Sequence, residues 1–74
     1  MRTNTILQTV VYIGDRLKEL RVQKFLTQRE LAEAAGLSPT TIFKIETNQV
    51  EPHISTMRRL AEALEVHPRE LLKG

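Results

Sequence analysis

The sequence predicts an all-α fold in which five short helices follow an extended N-terminal arm. Apolar residues recur three and four positions apart from Leu17 to Leu72, which is the spacing of a buried helix face. Capping residues and glycine divide this pattern into separate helices. We therefore predict an arm over residues 1–12 and one helical domain over residues 13–74.

The arm is predicted from composition, because residues 1–12 are rich in Thr, Val and Ile and carry one charge, on Arg2. A single strand cannot stand alone, so an extended arm would dimerise with another subunit or lie across its own domain. Two alternatives stay open. Ile6, Val10 and Ile13 have the spacing of a helix that extends the first one backwards, although Gly14 weakens it, and a mobile tail also fits.

The first clear helix is predicted to begin at Gly14 or Asp15 and to end near Lys24. Leu17 and Leu20 turn inward at helical spacing. Asp15 near the start and Lys24 near the end suit the helix dipole.

A second helix is predicted from Gln28 to Ala35. Thr27 and Glu30 stand three residues apart, which is the spacing of a capping box at a helix start. Gly36 can adopt positive φ without a clash and so ends the helix after about two turns.

A third helix follows at once, from Pro39 to Thr47. Ser38 is a good N-cap, and proline at the first helical position loses only an amide that would be unpaired. Ile42 and Ile45 form its buried face. Two helices joined by so short a turn form a helix-turn-helix, whose second helix can lie in the major groove of DNA.

The outward face of the third helix favours DNA binding over a purely structural corner. Thr40, Phe43, Lys44 and Thr47 project away from its buried face. Three of these four side chains can donate a hydrogen bond to a base edge or a phosphate. An outward Phe43 would pack on a thymine methyl or serve a protein partner.

The remaining residues predict two further helices. Pro52 disfavours helix before it, so the fourth helix is predicted to begin between residues 53 and 56 and to end near residue 65. Its buried face comprises Ile54, Met57, Leu60, Ala61 and Leu64. A last short helix, opened by proline at position 68, carries Leu71 and Leu72.

Composition argues against catalysis and metal binding. The chain has no cysteine, which excludes disulfides and thiolate metal sites. Its two histidines, His53 and His67, lie beside predicted helix starts, where capping is favoured over metal binding or catalysis. We predict no enzymatic activity, no cofactor and no small-molecule substrate.

The absence of cysteine, of a membrane-spanning run and of a signal peptide predicts a cytoplasmic protein without a membrane partner. Eleven Lys and Arg residues against nine Asp and Glu residues give a net charge of +2, which is compatible with nucleic acid but does not demand it. No apolar run approaches the length of about 20 residues that spans a bilayer. The N-terminus also lacks the features of a signal peptide.

A set of residues spread over residues 13–74, about five-sixths of the chain, carries a family resemblance. They are Arg16, Leu20, Arg21, Thr27, Gln28, Leu31, Ala32, Gly36, Leu37, Ser38, Ile42, Ile45, Glu46, Pro52, Leu60, Ala61, Leu64, Val66, Leu71 and Leu72. In this pattern the chain resembles the DNA-binding domains of the lambda and 434 repressor and Cro type, also called the XRE family. The resemblance implies a five-helix repressor-like bundle that binds double-stranded DNA.

The resemblance also implies which residues contact DNA. Base contacts are implied for Ser38, Pro39, Thr40, Phe43 and Lys44, and phosphate contacts for Gln28, Thr41, Thr47 and Asn48. Lys44 would contact guanine or merely a phosphate, and the alternative interpretation is a solvated lysine without a DNA contact. Gln28 would place its amide on a phosphate, and the alternative interpretation is an exposed residue of the first turn without a DNA contact. Arg58, Arg59 and Arg69 are interpreted as a solvated face in preference to phosphate contacts.

Arg21 and Glu46 match a pair that forms a partly buried salt bridge in this family.

Two residues depart from the family pattern. Phe25 stands where glycine is usual, so a left-handed backbone there would be strained unless the turn differs or packing of Phe25 offsets the cost. Pro39 replaces a frequent glutamine, so the operator cannot be copied from a relative.

Together these observations predict a sequence-specific DNA-binding transcriptional regulator, a homodimeric repressor on a pseudo-palindromic operator. The rival hypothesis is a protein-interaction module, such as an antitoxin or accessory subunit. In that case the arm or Phe43 engages a protein, and DNA binding is secondary.

Overall fold

The computed structural model describes residues 13–72, which form four α-helices and a 3₁₀ helix. In chain order these are α1 (Ile13–Gln23), α2 (Gln28–Ala35), α3 (Pro39–Glu46), α4 (Ile54–Leu64) and the 3₁₀ helix (Pro68–Leu72). Residues 13–72 contain no strand, so the predicted all-α class is confirmed for them. The predicted arm over residues 1–12 lies outside the described residues.

The prediction of five α-helices is wrong at the last one, which is a 3₁₀ helix. The amide of Glu70 donates to the carbonyl of His67, three residues back, at 2.8 Å. The carbonyl of Glu70 accepts a hydrogen bond from Nε of Arg16 at 2.8 Å and is therefore engaged outside its own helix. A five-residue segment that opens with proline is also too short to propagate an α-helix.

The bounds of the other helices agree closely with the sequence. The capping box at Thr27 starts α2 at the predicted residue, and Gly36 follows its end. Helix α1 begins at Ile13, one residue earlier than predicted, and α3 ends at Glu46. Differences of one residue are ordinary at helix ends.

All four α-helices of the described region are followed by a residue in the left-handed conformation. These residues are Phe25 (φ 58°), Gly36 (φ 71°), Asn48 (φ 61°) and Glu65 (φ 60°). The next amide in each case bonds back into the helix: Leu26 to Arg21 at 3.1 Å, Leu37 to Ala32 at 2.8 Å, Gln49 to Lys44 at 2.8 Å and Val66 to Ala61 at 3.0 Å. This is the Schellman closure, which satisfies carbonyls that a helix end leaves unpaired. The sequence indicates such an ending at Gly36 and allows it at Asn48, because asparagine tolerates the left-handed conformation, whereas Glu65 gives no signal of it.

The backbone at Phe25 is strained, as expected if this residue replaces the glycine that is usual in the family. Its backbone is left-handed, and its side chain is 93% exposed. The turn is therefore not altered to avoid the strain, and side-chain packing does not offset it. A left-handed conformation costs a residue with a Cβ about 1–2 kcal/mol.

The helices enclose one apolar core. Its buried members are Leu17, Leu20, Leu31, Ala32, Ala35, Ile42, Ile45, Leu60, Ala61, Leu64 and Leu71. Helix α2 packs against both α3 and α4, and the 3₁₀ helix closes the core against α1 and α4. Ile54, predicted to be buried, is 70% exposed, because it is the first residue of α4 and extends beyond its packed part. Every helix within residues 13–72 falls short of the length and hydropathy that a membrane span requires.

Candidate nucleic-acid interface

Helix α3 begins with a fully formed cap. Oγ of Ser38 accepts a hydrogen bond from the amide of Thr41 at 3.1 Å, and the two hydroxyl oxygens lie 2.9 Å apart. Pro39 occupies the first turn. Both hydroxyls are thus engaged with each other before any DNA is bound, and the start of α3 is held in one conformation.

The outward face of α3 is free of the core. Ile42, Ile45 and Glu46 are its buried residues. Pro39, Thr40, Phe43 and Lys44 are exposed, and Phe43 keeps 48% of its surface accessible. The structure therefore brings together on one exposed surface four of the five residues for which base contacts are predicted, with Ser38 at its edge as the cap.

Thr47 and Asn48, for which phosphate contacts are predicted, follow the last residue of α3. Oγ1 of Thr47 donates to the carbonyl of Phe43 at 2.8 Å and so satisfies the helix end. The side chain of Asn48 reaches α1, where its Oδ1 accepts from the amide of Gly14 at 3.2 Å. Asn48 is thus an N-cap for a helix 34 residues away in sequence. No local sequence signal indicates this cap.

Gly14 allows the close approach that this cap requires. A Cβ built on Gly14 would overlap the carbonyl oxygen of Ile45 and the side chain of Asn48. Gly14 is itself buried, and it brings the start of α1 against the end of α3. In the sequence, Gly14 indicates only a weak point in a helix, because the residues it packs against are distant in the chain.

Gln28 is the first residue of α2 and is partly buried. Its side-chain Nε2 donates to Oε1 of Glu46 at 3.0 Å. The amide is therefore held against the end of α3, next to the free backbone amides of the α2 N-terminus. Free amides and the positive end of the helix dipole favour a phosphate at such a position.

Arg21 and Glu46 form a nearly buried ion pair between α1 and α3. Nε of Arg21 lies 2.6 Å from Oε2 of Glu46, and the side chains are 12% and 2% exposed. A second bond joins Nη2 of Arg21 to Oε1 of Glu46 at 3.1 Å. Nη1 of Arg21 donates to the carbonyl of Leu26 at 2.7 Å, which holds the turn before α2. Charge and geometry together fix α3 relative to the first two helices.

A second Arg–Glu pair holds the other end of the domain. Nη2 of Arg16 lies 3.2 Å from Oε1 of Glu70, and Nη1 of Arg16 lies 2.9 Å from Oε1 of Glu19. With the bond from Arg16 to the Glu70 carbonyl, this pair attaches the 3₁₀ helix to α1. The sequence indicates Arg16 only as part of the family pattern and gives no signal of this pairing, because Glu70 lies 54 residues away.

The histidines differ in their capping roles. Nδ1 of His67 accepts from the amide of Arg69 at 3.1 Å, so the predicted capping role is confirmed there. His53 precedes α4 and makes no side-chain cap hydrogen bond, so the same prediction is wrong for it.

Helices α2 and α3, joined by a short turn at Gly36, form a helix-turn-helix. The family model described as helix-turn-helix matches residues 17–71, so the chain belongs to the helix-turn-helix family. The resemblance to lambda-type and XRE-type regulators is thereby confirmed.

Similar proteins agree with this assignment. The HTH-type transcriptional regulator PuuR of Escherichia coli K12 is 47% identical over 47 residues, which cover 64% of this chain and 25% of PuuR. The solved structure of the restriction-modification controller protein C.AhdI from Aeromonas hydrophila is 39% identical, with a TM-score of 0.81, over 84% of this chain and 94% of that one. The P22 c2 repressor, solved in complex with a synthetic operator, is 31% identical, with a TM-score of 0.77, over 84% and 94%.

These names bear on the prediction that the protein is not an enzyme. They describe a regulator, a controller and a repressor, none of them an enzyme, and the prediction is thereby confirmed. The chain spans only a quarter of the length of PuuR, so the match concerns the helix-turn-helix region of that relative.

Proposed function

We propose that this protein is a sequence-specific double-stranded DNA-binding transcriptional regulator. The observation that carries the proposal is the exposed face of α3, which presents Thr40, Phe43 and Lys44 away from the core. In a helix-turn-helix, this face of the second helix is the one that enters the major groove. The P22 c2 repressor, whose fold is similar, was solved with operator DNA.

The contacts divide into two kinds. Pro39, Thr40, Phe43 and Lys44 read base edges, with Ser38 at the groove end, because they share the exposed surface of α3. Gln28, Thr41, Thr47 and Asn48 contact phosphates or position the groups that do. All four side chains already bond to protein groups, and the backbone amides of Thr41, Thr47 and Asn48 are also engaged. DNA would therefore use donors that remain, such as the second N–H of the Gln28 and Asn48 side-chain amides.

The protein acts as a homodimeric repressor on a pseudo-palindromic operator. Two copies related by two-fold symmetry place their α3 helices in successive major grooves, about 34–36 Å apart. Each copy also exposes apolar side chains away from α3: Ile54 is 70% exposed and Leu72 is 48% exposed, and both line one groove with Met57. Arg58, His67 and Arg69 also line this groove, and the second subunit is the occupant we propose.

Selection of bound duplexes from a random DNA pool, followed by sequencing, tests the proposal. An enriched motif with two-fold symmetry is the expected result, and its half-site spacing reports the dimer geometry. A well-folded protein that enriches no motif would contradict sequence-specific binding.

The second candidate function is a protein-interaction module with secondary DNA binding. It is favoured by the aromatic exposure, since Phe25 is 93% and Phe43 48% accessible. The same selection discriminates between the two candidates. Phe43→Ala would leave DNA preference intact if Phe43 serves only a protein partner.

A further inference from the structure

Glu46 is a buried carboxylate that joins three helices. Arg21 donates to it from α1 through Nε and Nη2, at 2.6 and 3.1 Å. Gln28 donates to it from α2 through Nε2, at 3.0 Å, and shares Oε1 with Nη2 of Arg21. The ion pair alone therefore does not account for every contact of Glu46, because its Oε1 also holds a side chain at the proposed DNA surface.

The bond to Glu46 fixes the orientation of the Gln28 amide. An ionised carboxylate only accepts hydrogen bonds, so the amide must present its nitrogen, not its oxygen, to Glu46. One N–H of that nitrogen is used, and the second remains as a donor. A glutamine without this partner would turn either end outward, and its carbonyl oxygen would repel a phosphate.

The burial and rigidity of the Glu46 side chain suit it to this task. Its side chain is only 2% exposed, and Arg21 holds it in two bonds, so its carboxylate cannot rotate freely. A side chain that is already ordered loses less conformational entropy when it binds. The acceptor that holds Gln28 is therefore itself held in place.

We propose that Glu46 is a positioning residue for DNA binding, which orients the Gln28 amide so that its second N–H donates to a backbone phosphate. The inference rests on the proposed function. It adds that the phosphate contact on α2 depends on a residue buried at the end of α3. The two helices of the motif are thereby coupled through one carboxylate.

Duplexes in which single phosphates are replaced by uncharged methylphosphonates test the coupling. The wild-type chain should lose affinity at the phosphate that Gln28 contacts, and Gln28→Ala should be insensitive there. Arg21→Met with Glu46→Met removes the acceptor without leaving an unpaired buried charge. This double variant should reduce the sensitivity at the same phosphate by about three- to tenfold, the order expected when one side chain is no longer pre-ordered.

Base-pair substitutions distinguish a positioning role of Glu46 from a merely structural one, because a structural role would affect base and phosphate contacts alike. The double variant should keep the base preference of the wild type while it loses the single phosphate contact. The matched control, Arg16→Met with Glu70→Met, removes an Arg–Glu pair that involves neither α2 nor α3 and should keep both. An unchanged methylphosphonate profile in the first double variant, or an equal loss of phosphate and base contacts, would overturn the positioning role.

A measurement on the wild-type chain covers the case in which the double variant does not fold. The side-chain amide of Gln28 should be rigid by NMR relaxation in the free protein, unlike that of exposed Gln23. Equal mobility of the two amides would overturn the inference. Failure of the proposed function is distinct, because in that case the wild-type chain selects no duplex from the random pool.

Discussion

Asn48, which follows α3, caps the start of α1, because its Oδ1 accepts a hydrogen bond from the Gly14 amide at 3.2 Å. The contact places the start of α1 directly against the end of α3. It is possible only because Gly14 has no Cβ.

Gly14→Ala should therefore destabilise the domain, although alanine normally favours a helix over glycine. The added methyl group would overlap the Ile45 carbonyl and the Asn48 side chain, and such overpacking typically costs about 1–3 kcal/mol. Urea denaturation measures the change in the free energy of unfolding. Lys18→Ala, at an exposed site of the same helix, serves as the control and should be nearly neutral. A gain in stability for Gly14→Ala would contradict the close contact.

Phe25→Gly should stabilise the domain. It relieves a left-handed backbone and removes a side chain that is 93% exposed, so little packing is lost. The relief of about 1–2 kcal/mol is partly offset by the greater freedom of glycine in the unfolded chain. Thermal denaturation should show a higher Tm for Phe25→Gly and almost none of this gain for Phe25→Ala, which keeps the Cβ. Equal Tm values for the two variants would show that the strain is not relieved.

Arg21→Ala should unfold or nearly unfold the domain. It leaves the 2%-exposed carboxylate of Glu46 without its cation, and breaking a buried pair from one side costs about 3–5 kcal/mol. It also removes the bond that holds the Leu26 carbonyl. Circular dichroism against temperature measures the loss. Arg29→Ala removes an exposed arginine and is the control. A Tm within a few degrees of the wild type for Arg21→Ala would contradict the prediction.

DNA affinity should fall steeply with salt, with a log–log slope of about −0.9 for each phosphate neutralised. Lys44→Ala separates two roles for that side chain. As a base reader, Lys44 sets the preference at one position of each half-site, so the variant should relax specificity there. Gln28→Ala should weaken all sequences alike. Equal losses on every base variant for Lys44→Ala, with a slope reduced by about 1, would assign Lys44 to a phosphate.

Local chemistry explains which elements the sequence predicts well. Thr27 with Glu30, and Ser38 with Pro39, determine the starts of α2 and α3 through bonds between near neighbours, so both starts are readable from the chain. The exposed face of α3 follows from helical periodicity in the same way. The Arg21–Glu46 contact was anticipated only through the family resemblance.

Contacts between distant residues explain what the sequence does not predict. The Asn48 cap joins residues 34 positions apart, and the Gln28 bond to Glu46 joins residues 18 apart. Whether a helical face is covered also depends on its neighbours, which is why Ile54 is exposed despite its spacing. The left-handed backbone at Phe25 comes from the Schellman closure of α1, and phenylalanine gives no local signal of it.

At each of the four helix ends, one amide beyond the helix donates to a carbonyl five residues earlier, and this bond should slow its hydrogen exchange. Leu26, Leu37, Gln49 and Val66 lie past the ends of their helices, yet each donates to a helical carbonyl. Their amide protons should exchange slowly with deuterium, with protection close to that of the helices they follow. The turn between α2 and α3 then opens only when the helices themselves open. The two helices would approach DNA as one rigid body whose internal angle is already set.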